Sequence, residues 1–271
     1  MNGKVTVRGL QRMKDEGRKI VGVVAWDYHM AVIADRAGAE IVSVGDTVGV
    51  NLWGQVNPFE ITVDEVLVVA RAVRRGVTRA LVSVDLPFGP VQEGPAEAVR
   101  AAIRFVKEAG ADLVKVDGAA DHLDAVRAIT KAGIPVFAQF GITPQTALRH
   151  GVEYSATPAT ADQVPAELTG EMVETARRLE EAGAVLLNFT NSGPVAGAAV
   201  AEAATVPVVG GFGGGPWLDG RMRMAHAAIG YAAAAIDDPP ETYANVARIA
   251  LDALTRYADD VRSGRPLPGG R

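Results

Sequence analysis

Between Ile20 and Tyr231 the chain repeats one phrase: an amphipathic stretch, a glycine, then a short apolar run. Gly38, Gly76, Gly110, Gly133 and Gly183 each follow a helical pattern and precede a strand-like one, where a left-handed residue stops a helix. The apparent strands are IVGVVAW from Ile20, EIVSVGD from Glu40, RALVSVDLP from Arg79, DLVKVDG from Asp112, IPVFAQFG from Ile134, AVLLNFTN from Ala184 and VPVVGGFGG from Val206. A weak eighth runs from Ala232 to Ile236. Most are near-continuous apolar runs, which is how parallel strands covered on both faces read. Repeated βα units without a break in composition predict one α/β domain over residues 1–271.

The intervening stretches carry the helical period. Val66, Val69, Ala70 and Val73 make one apolar stripe, and Val99, Ala102, Ile103 and Val106 make another, with Arg100, Arg104 and Lys107 facing away. A polar interruption, Arg149 to Leu168, follows the fifth strand and reads as a lid or a tolerated insertion. The repeats occupy about 20–237, and a polar helical tail follows over about 238–264.

At 271 residues the chain has an ordinary length for a single α/β barrel. A net charge of −5 argues against nucleic acid as a partner. With no cysteine, disulfides, thiolate metal sites and cysteine nucleophiles are excluded. No apolar run reaches the ~20 residues a membrane helix needs, and the first residues lack the apolar stretch of a secretory signal. The expectation is a cytoplasmic protein with no membrane or nucleic-acid partner.

Three successive strands end in a carboxylate: Asp46, Asp85 and Asp117. Acidic side chains are poor strand formers. One of them alone reads as a cap for the next helix, but three at one edge point to a shared cation or polar substrate, with hard oxygen ligands suited to Mg²⁺. Lys115 lies two residues before Asp117, on the same strand face, where it pairs with that carboxylate or holds a substrate carboxylate beside the metal. The glycine-rich run from Gly210 to Pro216 lacks a phosphate fingerprint and reads as turn geometry. His29, His122, His150 and His226 show no ligand spacing. Trp26, Trp53 and Trp217 stand at or after strand ends, as pocket walls or core.

In order and spacing, VVAWDYHMAVIADRAGAEIVSVGDTVG, ALVSVDLPFG, EAGADLVKVDGA, AGIPVFAQFGITPQ and RYADDVRSGRPLPG resemble ketopantoate hydroxymethyltransferases, over roughly Ile20 to Pro268. The resemblance implies a (β/α)₈ TIM barrel with a C-terminal helical tail, within the phosphoenolpyruvate mutase and isocitrate lyase superfamily. It implies Mg²⁺, a 2-oxo acid substrate, aldol-type chemistry through a metal-stabilised enolate, 5,10-methylenetetrahydrofolate as candidate one-carbon donor, and a homo-oligomer.

Carried over position by position, Asp46 and Asp85 match the family's metal-binding aspartates, and Asp117 matches a glutamate near the metal. Thr47 and Lys115 match residues that contact the substrate carboxylate, and Trp26 is a candidate wall of that pocket. Gln139 stands where the family has a histidine beside the reacting oxygen. The family's general-base glutamate has no acidic counterpart; Asn188, Thr190 and Asn191 occupy that region, with Thr190 the nearest match. Ala227 replaces the aspartate after His226, and HGVEYSATP replaces a glycine-rich family loop. The electrophilic half of the machinery is kept and the basic half is missing; loss of a general base typically costs ~10²–10⁴-fold. The implied enzyme is therefore a diverged one, using an already acidic proton, C–C cleavage, or another base such as Glu153 or Asp162. A C–C lyase or hydrolase of the superfamily, and a non-catalytic ligand-binding barrel, are the alternatives.

Overall fold

A computed structural model describes residues 3–146, 164–211, 214–238 and 241–269. Eight strands lie side by side in chain order and close into a barrel. They are β1 (Ile20–Val24), β2 (Ile41–Val44), β3 (Leu81–Asp85), β4 (Leu113–Val116), β5 (Val136–Gly141), β6 (Ala184–Thr190), β7 (Val208–Gly210) and β8 (Gly220–Met224). Each paired register from β1 to β8 is parallel. The helices are α1 (Val7–Asp15), α2 (Tyr28–Arg36), α3 (Val48–Trp53), α4 (Val63–Gly76), α5 (Pro95–Ala109), α6 (Leu123–Lys131), α7 (Thr169–Glu181), α8 (Pro194–Ala203), α9 (Ala225–Ile229) and α10 (Val246–Ser263). None is long and apolar enough to cross a membrane, among the described residues.

The eighth strand is not where the sequence placed it. Ala233–Ile236 forms a 3₁₀ turn, and the barrel closes through Gly220–Met224, GRMRM. That strand alternates buried and exposed positions, with two arginines outward, so it escapes a search for continuous apolar runs. Gly220 is needed there: a Cβ would strike the backbone of Ile20 in β1.

Local chemistry explains the helix starts. Asp27 caps α2 by accepting from Met30 N at 2.8 Å. Thr62 and Glu65 form a reciprocal capping box on α4, and α5 and α8 open on proline. The expected stripe on α4 is buried as read. On α5 the buried residues are Ala98, Ala101, Ala102, Phe105 and Ala109, while Ile103 is 41% exposed. The helix is turned about one residue from the expected phase, because alanines seat closer to the strands than the branched residues beside them.

Four of the five repeat glycines take positive φ as expected: Gly38, Gly110, Gly133 and Gly183. Gly76 does not. It is the last residue of α4, and a Cβ there would lie 2.6 Å from the Tyr28 carbonyl of α2, so it serves helix approach rather than termination.

Chain contacts group the residues into two compact units, Met1–Arg223 and Met224–Arg271. In the first, Leu10 and Met13 of α1 join Ile20, Ile41, Leu81, Leu113, Phe137, Leu186, Val209 and Met222 in one apolar cluster. Every strand contributes one residue, so this is the layer that fills the barrel's N-terminal end. In the second unit, α10 buries only Ala247 and leaves Ile249, Leu254, Tyr257 and Val261 exposed.

Candidate active site

Strand alternation carries the interior from that apolar layer to a charged rim. Side chains two apart share a face, so inward positions continue from Leu81 to Ser83 and Asp85, and from Leu113 to Lys115 and Asp117. On β5 they run from Phe137 to Gln139, and on β6 from Leu186 to Asn188 and Thr190. A register shift sets the last of these: Val136 pairs with Ala184, but Phe137 with Leu186. Without that irregularity β6 would turn Asn188 and Thr190 outward. The register also places Asp85 opposite Lys115 and Gln139 opposite Asn188.

Asp46, Asp85 and Asp117 are all buried. Lys115 Nζ lies 2.6 Å from Asp85 Oδ2, and Ser43 Oγ donates to Asp85 Oδ1 at 3.3 Å. Gln145, from the loop after β5, links the other two: its Nε2 donates to Asp46 Oδ2 at 2.9 Å, and its backbone N–H to Asp117 Oδ2 at 3.2 Å. Gln145 and Ser43 were not among the residues expected at the site. Gln145 is the last residue of the GITPQ segment, which marked its position but not its role.

Electrostatics follow from burial. Loss of solvent, then repulsion from Asp85 and Asp117, pushes the Asp46 carboxyl up to about 7, against the pull of Lys115 and Gln145. Burial likewise raises Asp117 to about 6, opposed by the Thr143 hydroxyl, Lys115 and the Gln145 amide. Burial by itself would lower Lys115; Asp85, Asp46 and Asp117 outweigh it and hold the ammonium charged. Three buried carboxylates thus face one ammonium. Fully ionised, the cluster would carry two uncompensated negative charges, which protons or a cation must balance.

Whether a metal fits depends on what the carboxylates already do. Asp117 Oδ1 is buried with no hydrogen-bond partner among the described residues, an orphan acceptor. Yet no group of three His, Asp or Glu is arranged to hold a metal among the described residues. The expected trio of Asp46, Asp85 and Asp117 is not a closed ligand set, because each turns an oxygen toward Lys115 or Gln145. An all-oxygen site of this kind fits Mg²⁺ held by one or two carboxylates, with water and ligand completing the shell.

The remaining candidates divide. Thr47 is buried at the start of α3, and its hydroxyl makes no capping bond. Trp26 is buried directly after β1. Thr190 Oγ1 is buried without a partner among the described residues, and Asn188 Nδ2 donates to Gln139 Oε1 at 3.0 Å. Asn191 is the one non-glycine residue with positive φ among those described, and its Nδ2 holds the Ile142 carbonyl. The end of β6 therefore presents only neutral groups. Trp53 is exposed, whereas Trp217 donates to Ser192 Oγ at 3.2 Å. His226 belongs to the second unit, where burial lowers its pKa. Glu153, Asp162 and His150 lie outside the described residues. A cavity of about 400 Å³ is lined by Gly118 and Thr146, chain neighbours of Asp117 and Gln145, with Phe140, Val164 and Met172 among others, and by none of the three aspartates.

Comparison with known proteins is consistent along the chain. The family described as ketopantoate hydroxymethyltransferase matches residues 4–267. A 3-methyl-2-oxobutanoate hydroxymethyltransferase of Salinibacter ruber is 36% identical over 259 residues, covering 96% of this chain and 95% of that protein. Its namesake from Pyrococcus abyssi is 35% identical over 270 residues, covering 98% and 90%. Among solved structures, 2,3-dimethylmalate lyase, a PEP mutase/isocitrate lyase superfamily member, aligns with a TM-score of 0.61 at 17% identity, covering 93% of this chain and 88% of that one. Phosphonopyruvate hydrolase in complex with oxalate and Mg²⁺ aligns at 0.59 and 16%, covering 96% and 88%. At those identities the structural matches show a shared fold.

Proposed function

The chain belongs to the ketopantoate hydroxymethyltransferase family, and on that premise we propose that it performs aldol-type carbon–carbon chemistry on a 2-oxo acid at the C-terminal mouth of its barrel. The observation that carries this reading is the charge imbalance of Asp46, Asp85 and Asp117 against Lys115, buried where barrel enzymes do their chemistry. Asp46 and Asp85 would hold Mg²⁺, with Asp117 and its orphan oxygen beside it. The ion would supply Lewis-acid polarisation of a chelating keto carboxylate.

The chain's own groups divide the remaining work. Lys115 and the Thr47 hydroxyl, which is not spent on capping α3, suit the ligand carboxylate. Gln139 stands beside the oxygen that gains charge when an enolate forms. Thr190 is the candidate facing the ligand's third carbon, and neither it nor Asn188 beside it accepts a proton at neutral pH. The reaction therefore suits a substrate whose proton is already acidic, or one whose enolate arises by C–C cleavage. That absence of a carboxylate at the end of β6 is also what favours a lyase as the second reading. As one-carbon donor, 5,10-methylenetetrahydrofolate is carried by family membership. A homo-oligomer is supported by the apolar residues that α10 leaves in solvent.

The test is exchange of hydroxymethyl or aldehyde groups into a panel of 2-oxo acids, with product analysis for cleavage. Turnover should fall at least ~100-fold on chelation of divalent ions and in Asp85→Asn. Unchanged turnover in either case refutes the reading.

A further inference from the structure

Three amide groups at the rim dictate one another's direction. Gly211 N–H donates to Asn188 Oδ1 at 2.8 Å. A backbone N–H cannot accept, so the Asn188 oxygen must face Gly211 and its Nδ2 must face away. That nitrogen meets Gln139 Oε1 at 3.0 Å. It cannot accept either, so Gln139 turns its oxygen to Asn188 and its Nε2, with two protons, the other way. Gln139 is 2% exposed, and the one side-chain bond shown for it among the described residues engages Oε1, not Nε2. The side chain points into the barrel one inward step beyond Phe137, whose strand neighbour is Lys115. With its oxygen taken up by Asn188, the Gln139 amide nitrogen is left as a donor directed into the barrel.

Resting on the 2-oxo acid reading above, we propose that Gln139 is an obligate hydrogen-bond donor to the keto or enolate oxygen of the ligand. Asn188 is the positioning residue that fixes its direction, itself clamped by the Gly211 amide. The consequence is specificity. An acceptor oxygen at the second carbon satisfies Gln139. A 2-hydroxy acid offers a weaker acceptor there and a 2-amino acid a cationic donor, so both are disfavoured. Proton transfer through Gln139 is excluded, since an amide serves as neither acid nor base at neutral pH.

Asn188→Asp tests the relay with almost no change in shape. The new carboxylate still accepts from Gly211, but its second oxygen now requires a donor from Gln139, which must flip and offer its own oxygen to the ligand. Calorimetry with Mg²⁺ present should show oxalate binding weakened roughly 10- to 100-fold, the worth of a hydrogen bond to a charged group. The preference for pyruvate over lactate should narrow as well. Gln139→Met should lose as much for oxalate, and the double variant no more than either alone, because the two residues act as one unit. If the wild type binds neither oxalate nor pyruvate, the 2-oxo acid reading itself fails. If it binds both and Asn188→Asp binds oxalate equally well, or loses pyruvate and lactate in equal proportion, the relay is overturned. Should Asn188→Asp not fold, Gln139→Met and its pyruvate-to-lactate ratio decide alone.

Discussion

Replacing Asp46 with asparagine keeps the side chain's size and leaves an oxygen to accept from Gln145 Nε2, while removing a buried charge. In the folded protein that carboxyl is raised from 3.8 to about 7. A rise of that size sets on the order of 4 kcal/mol against the ionised form. The sign follows from proton counting. From about pH 4 to about pH 7 the folded chain holds a proton that the unfolded chain has released, so stability falls as pH rises. Above about pH 7 the penalty is complete. Since Asp85 and Asp117 share the repulsion, about 2–4 kcal/mol should be recovered by Asp46→Asn near pH 8 without divalent ions. For a chain of this length each kcal/mol moves Tm by about 2–4 °C, giving a rise of at least ~4 °C. Below about pH 4, where the carboxyl is protonated in both states, the two proteins should melt almost together. Saturating Mg²⁺ should stabilise the wild type at the higher pH and leave the variant unmoved. Melting curves that coincide near pH 8, or a stabilisation equal at both pH values, would refute the charge-imbalance reasoning.

Elsewhere, Asp35 on α2 accepts backbone N–H groups from Thr78, Arg79 and Ala80, besides the Thr78 hydroxyl. Asp35→Ala should cost roughly 3 kcal/mol in urea unfolding, about 1 for each backbone bond lost. Burial would raise this carboxyl, but the bonds from Ala80, Thr78 and Arg79 hold it below 3.8, so its contribution is lost only as pH falls through that lowered value. Gly76→Ala should destabilise by about 1–3 kcal/mol by crowding the Tyr28 carbonyl, although alanine is the better helix former. A gain in stability there would show that α2 and α4 have room to separate.

The periodic part of the molecule was legible in the residue order. Seven strands, the α4 stripe and four glycine caps follow from local preferences that each segment expresses alone. Asp46, Asp85, Lys115 and Asp117 could be picked out because charge at the end of an apolar strand is conspicuous against its neighbours. The phase of α5 and the place of Gly76 could not, since both depend on how near another element comes. Nor could β8, whose alternating GRMRM is a strand only because β7 and β1 bracket it.

At the site the division is sharper. The chain's order supplied the ionisable groups and told which barrel end they occupy. Only the closed barrel put Gln145 between Asp46 and Asp117 and turned Asn188 between Gly211 and Gln139. A hydrogen bond between residues far apart in the chain has no local trace, because neither partner's own conformational preference depends on it. Residue order can say which groups carry charge; the tertiary structure decides which of them must share it.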